Sequence, residues 1–454
     1  MNPIALHPDN GHYFRFRGKP AVLVTSAEHY GAVLNGDFDF VPYLDELRAR
    51  GFNLTRIFSG AYREVPGDFA ITHNPLAPSP DRFVAPWPRS GTSGAADGGN
   101  RFDLARWNDD YFRRLHRFCA EAGKRGVVVE MVLFCPFYEE SMWVVSPMNA
   151  RNNVQNVGDV ARTEVYTLKH AGLTAVQEAL TRKIVRELRA FDNVYFEICN
   201  EPYFGGVTLD WQHRIADVIA ETEADVPAAA RHLIAQNIAN GSARIEKPHR
   251  HVSVFNFHYA HPPDAVGVNY GLNRVIGFDE TGFEGTGDTV YRTEGWEFLL
   301  AGGGVYNHLD YSFTTAHPKG TFAFPPTTPG GGGPVLRAQL AVLKRFIERF
   351  EFVKMAPANG VVREGDAPAG TTVRVLAEEG RQYAVYVRGD GAARLALSVP
   401  AGRYQATWLH PRTGAEEKPQ SVERTADAGD LRLAVPPYRE DVALRLVRAP
   451  GGGR

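Results

Sequence analysis

Residues 194–202, Val194-Tyr195-Phe196-Glu197-Ile198-Cys199-Asn200-Glu201-Pro202, are an apolar run that ends in Asn-Glu-Pro. The first six residues predict a short β-strand, because an apolar run of this length bounded by turn-forming residues is typical of a strand in a buried parallel sheet. Alternate residues of a strand share a face, so Glu201 continues the face of Tyr195, Glu197 and Cys199. If that face points inward, the Glu201 carboxyl group lies at the mouth of the sheet.

The same pattern recurs along most of the chain. Short apolar runs alternate with amphipathic runs, which predicts repeated strand–helix units and a parallel sheet. Strands are predicted at residues 21–26, 52–58, 126–134, 194–199, 232–236, 251–258, 274–279 and 304–308. Helices are predicted at residues 38–50, 107–124, 173–190, 210–224, 288–301 and 334–350. Eight strand units indicate the α/β class and a TIM (β/α)8 barrel over residues 21–352, with long loops after the second, third and eighth strands.

The segments that flank this barrel have a different pattern. Residues 11–20 predict a hairpin, so we expect an N-terminal hairpin segment over residues 1–20. Beyond residue 356, short alternating runs separated by turn residues predict a small all-β sandwich over residues 356–449. Its strands are expected at residues 372–377, 382–387, 393–399, 404–409, 431–435 and 442–447. The length of 454 residues suits a barrel of about 250 residues or more followed by a module of about 100.

The composition excludes several classes of partner. Fifty Lys and Arg against 52 Asp and Glu give a formal net charge of -2, so no basic field attracts nucleic acid or an anionic membrane. A neutral substrate fits this balance better. No run approaches the ~18 apolar residues of a membrane helix. The first eleven residues lack the apolar segment of a signal peptide, so we expect a cytoplasmic protein, or a secreted or periplasmic one whose leader has been removed.

A second carboxylate stands where the seventh strand ends. Residues 276–282 read Ile276-Gly277-Phe278-Asp279-Glu280-Thr281-Gly282, and strand alternation groups Glu280 with Ile276 and Phe278. In a closed eight-stranded barrel the fourth and seventh strands face each other across the mouth. A pair of carboxyl groups there can hydrolyse an acetal, because one protonates the leaving oxygen while the other attacks the anomeric carbon or activates water.

Both strand endings resemble those of clan A glycoside hydrolases, the group that includes cellulase-type and β-mannanase-type families. The resemblance covers roughly residues 10–350. It implies that Glu201 is the acid/base, that Glu280 is the nucleophile and that Asn200 binds the sugar 2-hydroxyl. It also implies support of the nucleophile by Arg56 and a sixth-strand histidine at His258. The chain departs from the clan pattern at three places: no histidine ends the third strand, Ala260 stands where a tyrosine is common with Tyr259 beside it, and the eighth strand lacks a tryptophan.

The predicted function is therefore that of an O-glycosyl hydrolase, EC 3.2.1, which cleaves β-type bonds by double displacement with no cofactor. A glycoside or oligosaccharide is the expected substrate; the sequence predicts no oligomeric state. Arg56 near Glu280 is expected to keep that nucleophile ionised, and burial near a negative neighbour to keep Glu201 protonated. Further substrate-binding candidates follow predicted strands or stand in long loops: Glu28, His29, Tyr259, Trp143 and Asn307.

Two other functions remain open at this point. A metal-dependent barrel hydrolase could use His258, His261, Asp279 and Glu280 as ligands, although no fixed ligand spacing is visible. A catalytically inactive carbohydrate-binding barrel is the other alternative, and the presence of both glutamates counts against it. The three cysteines form no CxxC pair, which predicts free buried thiols: Cys119, Cys135 and Cys199.

Overall fold

The computed structural model describes residues 2–363, 370–389, 391, 394–427 and 429–449. In chain order the strands are β1 (Ala5–His7), β2 (Asn10–Phe16), β3 (Lys19–Ala21), β4 (Leu23–Ala27), β5 (Leu54–Phe58), β6 (Arg89–Ser93), β7 (Asn100–Phe102), β8 (Val128–Phe134), β9 (Val194–Cys199), β10 (Ile234–Asn240), β11 (Val252–His258), β12 (Val275–Thr281), β13 (Val305–Leu309), β14 (Ala356–Pro357), β15 (Thr372–Glu378), β16 (Gln382–Arg388), β17 (Arg394–Leu397), β18 (Gly402–Leu409), β19 (Gln420–Arg424), β20 (Leu431–Ala434) and β21 (Asp441–Arg448). The helices are α1 (Phe40–Arg50), α2 (Asp109–Lys124), α3 (Glu140–Val144), α4 (Ala171–Leu188), α5 (Leu209–Thr222), α6 (Asp264–Asn269), α7 (Asp288–Leu300) and α8 (Pro334–Ile347).

The parallel strands form the barrel that the sequence predicts. Their order is β4, β13, β12, β11, β10, β9, β8 and β5. The barrel closes where β4 meets β5, and the side chain of Asn53 bridges the two strands. Its Nδ2 donates to the Val22 carbonyl at 2.8 Å, and its Oδ1 accepts from the Val24 amide at 2.9 Å. A side-chain amide therefore supplies hydrogen bonds at the seam.

An apolar layer fills the amino-terminal end of the barrel. Each barrel strand contributes one buried side chain: Leu23, Leu54, Val128, Tyr195, Ala235, Val254, Val275 and Val305. The N-terminal strands cover this layer, since β2 and β3 form a hairpin, β1 adds a third strand, and Ile4 and Phe14 pack into the same cluster. This end is thus packed for stability, and the opposite end is left for a site.

Long loops leave the carboxyl ends of three barrel strands, as expected. Residues 59–108 follow β5 and contain the β6–β7 hairpin, residues 135–170 follow β8 and contain α3, and residues 310–333 follow β13. The helices between strands have defined ends; in α1, the Asp39 side chain accepts from the Val41 amide at 3.1 Å, and Gly51 stops the helix with φ 78°. No helix in the described ranges is both long and apolar enough to cross a membrane.

The C-terminal strands form two facing antiparallel sheets, in agreement with the predicted sandwich. One sheet has the order β14, β15, β16, β21, β18, β19, and β17 pairs with β20 in the other. Side chains of both sheets share one core, which includes Val385, Leu397, Trp408, Leu433 and Leu444. The sequence did not predict β14 and β19. Both are edge strands with mostly exposed side chains, so they lack the apolar alternation that marks a strand.

The other face of the larger sheet packs against the barrel. The Trp296 ring of α7 stacks on the Tyr386 ring of β16 at 5.2 Å, with an angle of 14° between the planes. Arg292 of α7 is buried and donates to Asp441 and Glu440, both at 2.8 Å. The sandwich and the barrel are therefore joined by an apolar contact flanked by charged hydrogen bonds.

The contact at Trp296 predicts a measurable stability effect. We expect Trp296→Ala to lower the free energy of unfolding by ~3–5 kcal/mol, because it removes a fully buried indole and leaves a cavity. Chemical denaturation followed by circular dichroism measures the change. The control is Val335→Ala, whose side chain is 66% exposed and which should change stability by less than about 0.5 kcal/mol. Equal stability of the two variants would contradict the role given to this contact.

Candidate active site

A pocket of about 310 Å³ opens at the carboxyl ends of the barrel strands, and both predicted catalytic carboxylates line it. The other lining residues are His29, Tyr30, Phe58, Glu64, Phe69, Leu76, Cys135, Tyr138, Asn200, Phe204, Asn240, Tyr259 and Phe283. Ligand pockets span roughly 300–1,000 Å³. This one lies at the small end of that range, so it suits a compact ligand or one end of a longer one.

Glu201 enters the pocket from the turn that follows β9. The predicted alternation of this strand holds, since Tyr195 lies in the interior apolar layer and Glu197 is buried above it. The backbone of Glu201 has φ 36°, in the left-handed region that non-glycine residues seldom adopt and that is often found at functional sites. Its Oε2 accepts from the Tyr138 hydroxyl at 2.6 Å, and its Oε1 accepts from the Tyr203 hydroxyl at 3.1 Å.

Glu280 reaches the pocket in a way that simple strand alternation does not predict. Alternation groups it with Ile276 and Phe278, but the Phe278 ring points away from the barrel axis and packs on Phe298 of α7 at 5.3 Å. The pairing of β12 with both neighbouring strands shifts register beyond Phe278. This irregularity, equivalent to a β-bulge, lets Asp279 and Glu280 both face inward.

Three donors from different strand ends hold the Glu280 carboxylate. Its Oε2 accepts from the Tyr30 hydroxyl at 2.7 Å and from Arg56 Nη1 at 3.4 Å. Its Oε1 accepts from the Tyr259 hydroxyl at 3.0 Å. Tyr259 itself has φ 48°, a second left-handed non-glycine residue at this site. The carboxylate is therefore fixed in orientation from both sides.

His258 lies between the two carboxylates. Its Nδ1 is 3.0 Å from Oε1 of Glu201 and 3.3 Å from Oε1 of Glu280, while its Nε2 is 3.5 Å from Oδ1 of Asp279. One oxygen of Glu201 and one of Glu280 lie within 4.8 Å of each other. The imidazole thus bridges two acids that are close enough to act on one bond.

The electrostatics of this group favour an ionised Glu280. Burial alone would raise the pKa of Glu280, but the charge of His258, its hydrogen bond and the charge of Arg56 together bring that pKa below its ordinary value. Burial would lower the pKa of His258, but the charges of Glu280 and Asp279 and hydrogen bonds to Asp279 and Glu201 raise it well above its usual range. At neutral pH a carboxylate therefore faces an imidazolium. Arg56 contributes as expected, and His258 contributes more.

Beneath the pocket, Arg56 is fully buried among carboxyl groups. Its Nη2 donates to Glu197 at 2.5 Å, and its Nε lies 3.3 Å from Asp279 and 3.9 Å from Glu130. Burial raises the pKa of Glu130 to about 7 and that of Glu197 well above its ordinary value. This layer therefore carries fewer negative charges than its number of carboxyl groups suggests.

Of the predicted substrate-binding residues, Asn200, Tyr259 and His29 line the pocket, and Arg56 and His258 lie buried beneath it and contact its carboxylates. Asn200 connects the two halves of the site. Its Oδ1 accepts from Arg56 Nη2 at 2.8 Å, and its Nδ2 donates to the Tyr138 hydroxyl at 2.8 Å. That hydroxyl in turn donates to Glu201, so a hydrogen-bonded chain links the arginine to the acid.

The structure does not bring Glu28, Trp143 and Asn307 into the pocket. Glu28 is fully buried and accepts two backbone N–H groups of its own turn, at 2.9 and 3.1 Å. The Trp143 indole is 1% exposed and donates to a backbone carbonyl at 3.1 Å. Asn307 is buried and donates to the Asp279 carbonyl at 2.8 Å. Each of these side chains holds a loop or strand end in place, which corrects their assignment to the pocket lining.

The sequence analysis missed several residues of the site, all outside the strands and α-helices: Glu64, Phe69, Tyr138 and Phe204 line the pocket, and Tyr203 bonds to Glu201. Tyr203 and Phe204 directly follow the Asn-Glu-Pro turn, so their position next to Glu201 could have indicated them. Glu64 and Phe69 lie in the long loop after β5, where no periodic pattern relates sequence to side-chain direction.

One of the four ligands proposed for the metal-hydrolase alternative, His261, lies apart from the other three. His261 Nε2 lies 3.6 Å from Oε2 of Glu297, a buried residue of α7, and not beside the pocket carboxylates. Glu201, His258 and Glu280 could offer one ligand atom each within 4.8 Å. Among the carboxyl groups beneath the pocket, the Arg56 guanidinium already supplies the positive charge that a metal ion would bring.

Comparison with known proteins gives a match in fold. No protein-family model and no curated protein matches the sequence. A glycoside hydrolase family 5 structure from Bacteroides vulgatus is 13% identical with a TM-score of 0.66, over 98% of this chain and 94% of that one. A variant of a family 5 mannosidase and an endo-1,4-beta-mannanase, both from Rhizomucor miehei, are 12% and 11% identical with TM-scores of 0.52 and 0.53. Both matches cover 77% of this chain; they cover 99% of the mannosidase and 100% of the mannanase. The chain therefore has the barrel fold of these glycoside hydrolase structures.

The buried position of Glu28 predicts a pH-dependent stability. Burial raises its pKa to about 7 from 4.5, against backbone hydrogen bonds that lower it. An acid that binds its proton more tightly when folded stabilises the fold at low pH, and this contribution is lost as pH rises from the unfolded to the folded pKa. From pH 5 to pH 8 the unfolding free energy of the wild type should therefore fall by ~1–3 kcal/mol more than that of Glu28→Gln. Urea denaturation at both pH values tests this, and parallel pH dependences would refute it.

Proposed function

We propose that the chain is a retaining glycoside hydrolase that cleaves β-type O-glycosidic bonds of a glycoside or oligosaccharide. The catalytic unit would be the barrel over residues 21–352, with residues 1–20 and 356–449 as its supporting segments. The observation that carries the proposal is the pair of pocket carboxylates, Glu201 and Glu280, with oxygens within 4.8 Å of each other. Retaining enzymes hold these groups about 5–5.5 Å apart, and inverting enzymes about 6.5–9.5 Å apart. The short separation favours retention, and the resemblance to clan A supports the β-configuration.

In the first step Glu280 acts as the nucleophile. One of its carboxylate oxygens forms a bond to the anomeric carbon while the bond from that carbon to the leaving oxygen breaks. Glu201 gives its proton to the departing oxygen, so the leaving group departs as a neutral alcohol. The product is a glycosyl ester of Glu280. The lowered pKa of Glu280 supports this role because the nucleophile must be ionised.

In the second step Glu201, now a carboxylate, takes a proton from a water molecule. The water oxygen attacks the anomeric carbon, the ester bond to Glu280 breaks, and the sugar leaves with its original configuration. Tyr30 and Tyr259 donate to the two Glu280 oxygens at 2.7 and 3.0 Å. These bonds would stabilise the carboxylate as a leaving group, and so support its release.

Chemical rescue tests both assignments. We expect Glu280→Gly to lower kcat/KM on a panel of 4-nitrophenyl β-glycosides by about 10³-fold or more, because the nucleophile is gone. Sodium azide should restore turnover and yield the α-glycosyl azide. With Glu201→Gly, a loss of about 10²–10⁴-fold is expected, and azide should yield the β-glycosyl azide. NMR identifies the azide anomer and the first sugar anomer that the wild type releases.

The control for these variants is Glu223→Gln, a buried glutamate that contacts His232 and does not line the pocket. It should retain wild-type activity. An inverted first product from the wild type, or undiminished turnover by Glu280→Gly, would reject the double-displacement mechanism.

His258 predicts a shift in the pH profile. Because its positive charge lowers the pKa of Glu280, His258→Gln should raise that pKa and move the acidic limb of kcat/KM to higher pH. The pH dependence of aryl β-glycoside hydrolysis measures the limb. The matched control is His116→Gln, whose side chain is 43% exposed and pairs with Glu187. An acidic limb that stays in place in His258→Gln would argue against this coupling.

A further inference from the structure

Aromatic rings surround the mouth of the pocket. The Phe69 ring centroid lies 5.3 Å from that of Tyr138 and 6.3 Å from that of Phe283. The Tyr138 ring lies 5.7 Å from that of Phe204. We call these four side chains the aromatic rim. They come from loops after four different barrel strands, so the rim is assembled only in the folded barrel.

Two members of the rim are partly open to solvent. Phe69 is 38% exposed and Phe204 is 44% exposed. Phe69 has φ 54° and Ala70 has φ 56°, left-handed conformations that a bulky residue rarely adopts. Neighbouring exposed apolar rings at a pocket mouth mark a binding surface, and backbone strain of this kind clusters at sites where ligands bind.

Three members of the rim, Phe69, Tyr138 and Phe204, lie on the acid/base side of the pocket, whereas Phe283 also packs on Tyr259, with ring centroids 6.3 Å apart. Phe204 belongs to the same turn as Glu201, and its amide donates to the Glu201 carbonyl at 3.0 Å. Tyr138 touches the rings of Phe69 and Phe204 and donates to the Glu201 carboxylate. An acid/base must contact the oxygen of the leaving group. Phe69 and Phe204 are therefore placed where the leaving group would lie.

The opposite side of the pocket is polar. His29 Nε2 lies 3.2 Å from Oε2 of Glu64, and both line the pocket. His29 stacks on Tyr30, which donates to Glu280. Charged and hydroxyl groups thus surround the nucleophile, where a sugar ring with its hydroxyls would bind.

From this division we infer that the leaving group of the natural substrate carries a flat apolar ring, as in an aryl glycoside, which binds between Phe69 and Phe204. The inference rests on the proposed hydrolase function and specifies its substrate class. Aromatic rings bind flat apolar groups by stacking and edge contacts. A sugar as leaving group would need hydrogen-bond partners for its hydroxyls. Beyond Glu201, the polar groups that line this part of the pocket are Asn200, the Tyr138 hydroxyl and Asn240, and each already bonds to another group of the protein.

The test compares leaving groups on the same sugar. For each of the β-glucoside, β-mannoside, β-galactoside and β-xyloside, kcat/KM is measured on the 4-nitrophenyl and the methyl glycoside. The kcat/KM on the 4-nitrophenyl glycoside divided by that on the methyl glycoside should fall by about tenfold or more in Phe69→Ala and in Phe204→Ala. Each variant loses one ring contact with the aryl group. Phe204→Tyr, which keeps the ring, should restore the ratio. Leu168→Ala is the matched control, because Leu168 is 48% exposed and outside the pocket lining.

Binding without turnover separates this inference from the proposed function. Calorimetry with phenyl 1-thio-β-glycosides measures the affinity of the wild type and of Phe204→Ala. A lower ratio of the two kcat/KM values in the alanine variants supports an aryl site. Tenfold weaker thioglycoside binding by Phe204→Ala also supports it, even if no glycoside is hydrolysed and the proposed function fails. Hydrolysis with an unchanged ratio in both alanine variants overturns the inference while the hydrolase function stands. If no glycoside is hydrolysed and Phe204→Ala binds the thioglycosides as tightly as the wild type does, both the aryl site and the proposed hydrolase function are overturned.

Discussion

The buried guanidinium of Arg56 is the interaction on which the site depends. A charged group without water must be surrounded by opposite charge and by hydrogen-bond acceptors, or its burial costs several kcal/mol. Glu130, Glu197, Asp279 and Glu280 meet that requirement from β8, β9 and β12. These contacts join the three strands across the barrel, in addition to the pairing within the sheet and the packing of the apolar layer. Arginine suits this place, since its planar fork donates in several directions at once.

The barrel could be predicted because its sequence pattern follows from its geometry. Each strand must place one apolar side chain in the lower layer, and the chain repeats that requirement at Leu23, Leu54 and each later strand. The strand at 194–199 was predicted with the bounds that it has. The bounds fail where polar residues continue a strand: β10 runs on to Asn240 because its backbone pairs with β11, although Asn237 and Asn240 look like loop residues. The prediction of edge strands fails for the same reason. The side chains of β19 form no buried face, so no alternation of apolar and polar residues marks this strand in the sequence.

The sequence indicated some pocket residues next to strand ends, such as Asn200 and Tyr259, but strand position alone was not sufficient, since Glu28 and Asn307 are buried outside the pocket. Glu201 continues the inward face of a regular strand, as alternation predicts, whereas Asn200 has the opposite alternation and reaches the pocket because β9 has ended at Cys199. Glu280 lies in the pocket although alternation alone would turn it outward, because the shifted register of β12 is set by pairing between strands and leaves no mark in one sequence. Trp143 and Phe69 show the limit in loops: the tryptophan is buried away from the pocket, and the phenylalanine stands at its mouth.

The position of His258 keeps the net charge of the site constant through the two proposed steps. The proposed first step starts from an ionised Glu280 and a protonated Glu201 beside the imidazolium. In that state the three groups together carry no net charge. Afterwards Glu280 is a neutral ester and Glu201 is a carboxylate, so the sum is again zero. The negative charge has only moved from one neighbour of Nδ1 to the other, which lie 3.3 and 3.0 Å away. Since net charge in a buried site is costly, this constancy means that neither proposed step leaves an uncompensated charge beside the buried imidazole.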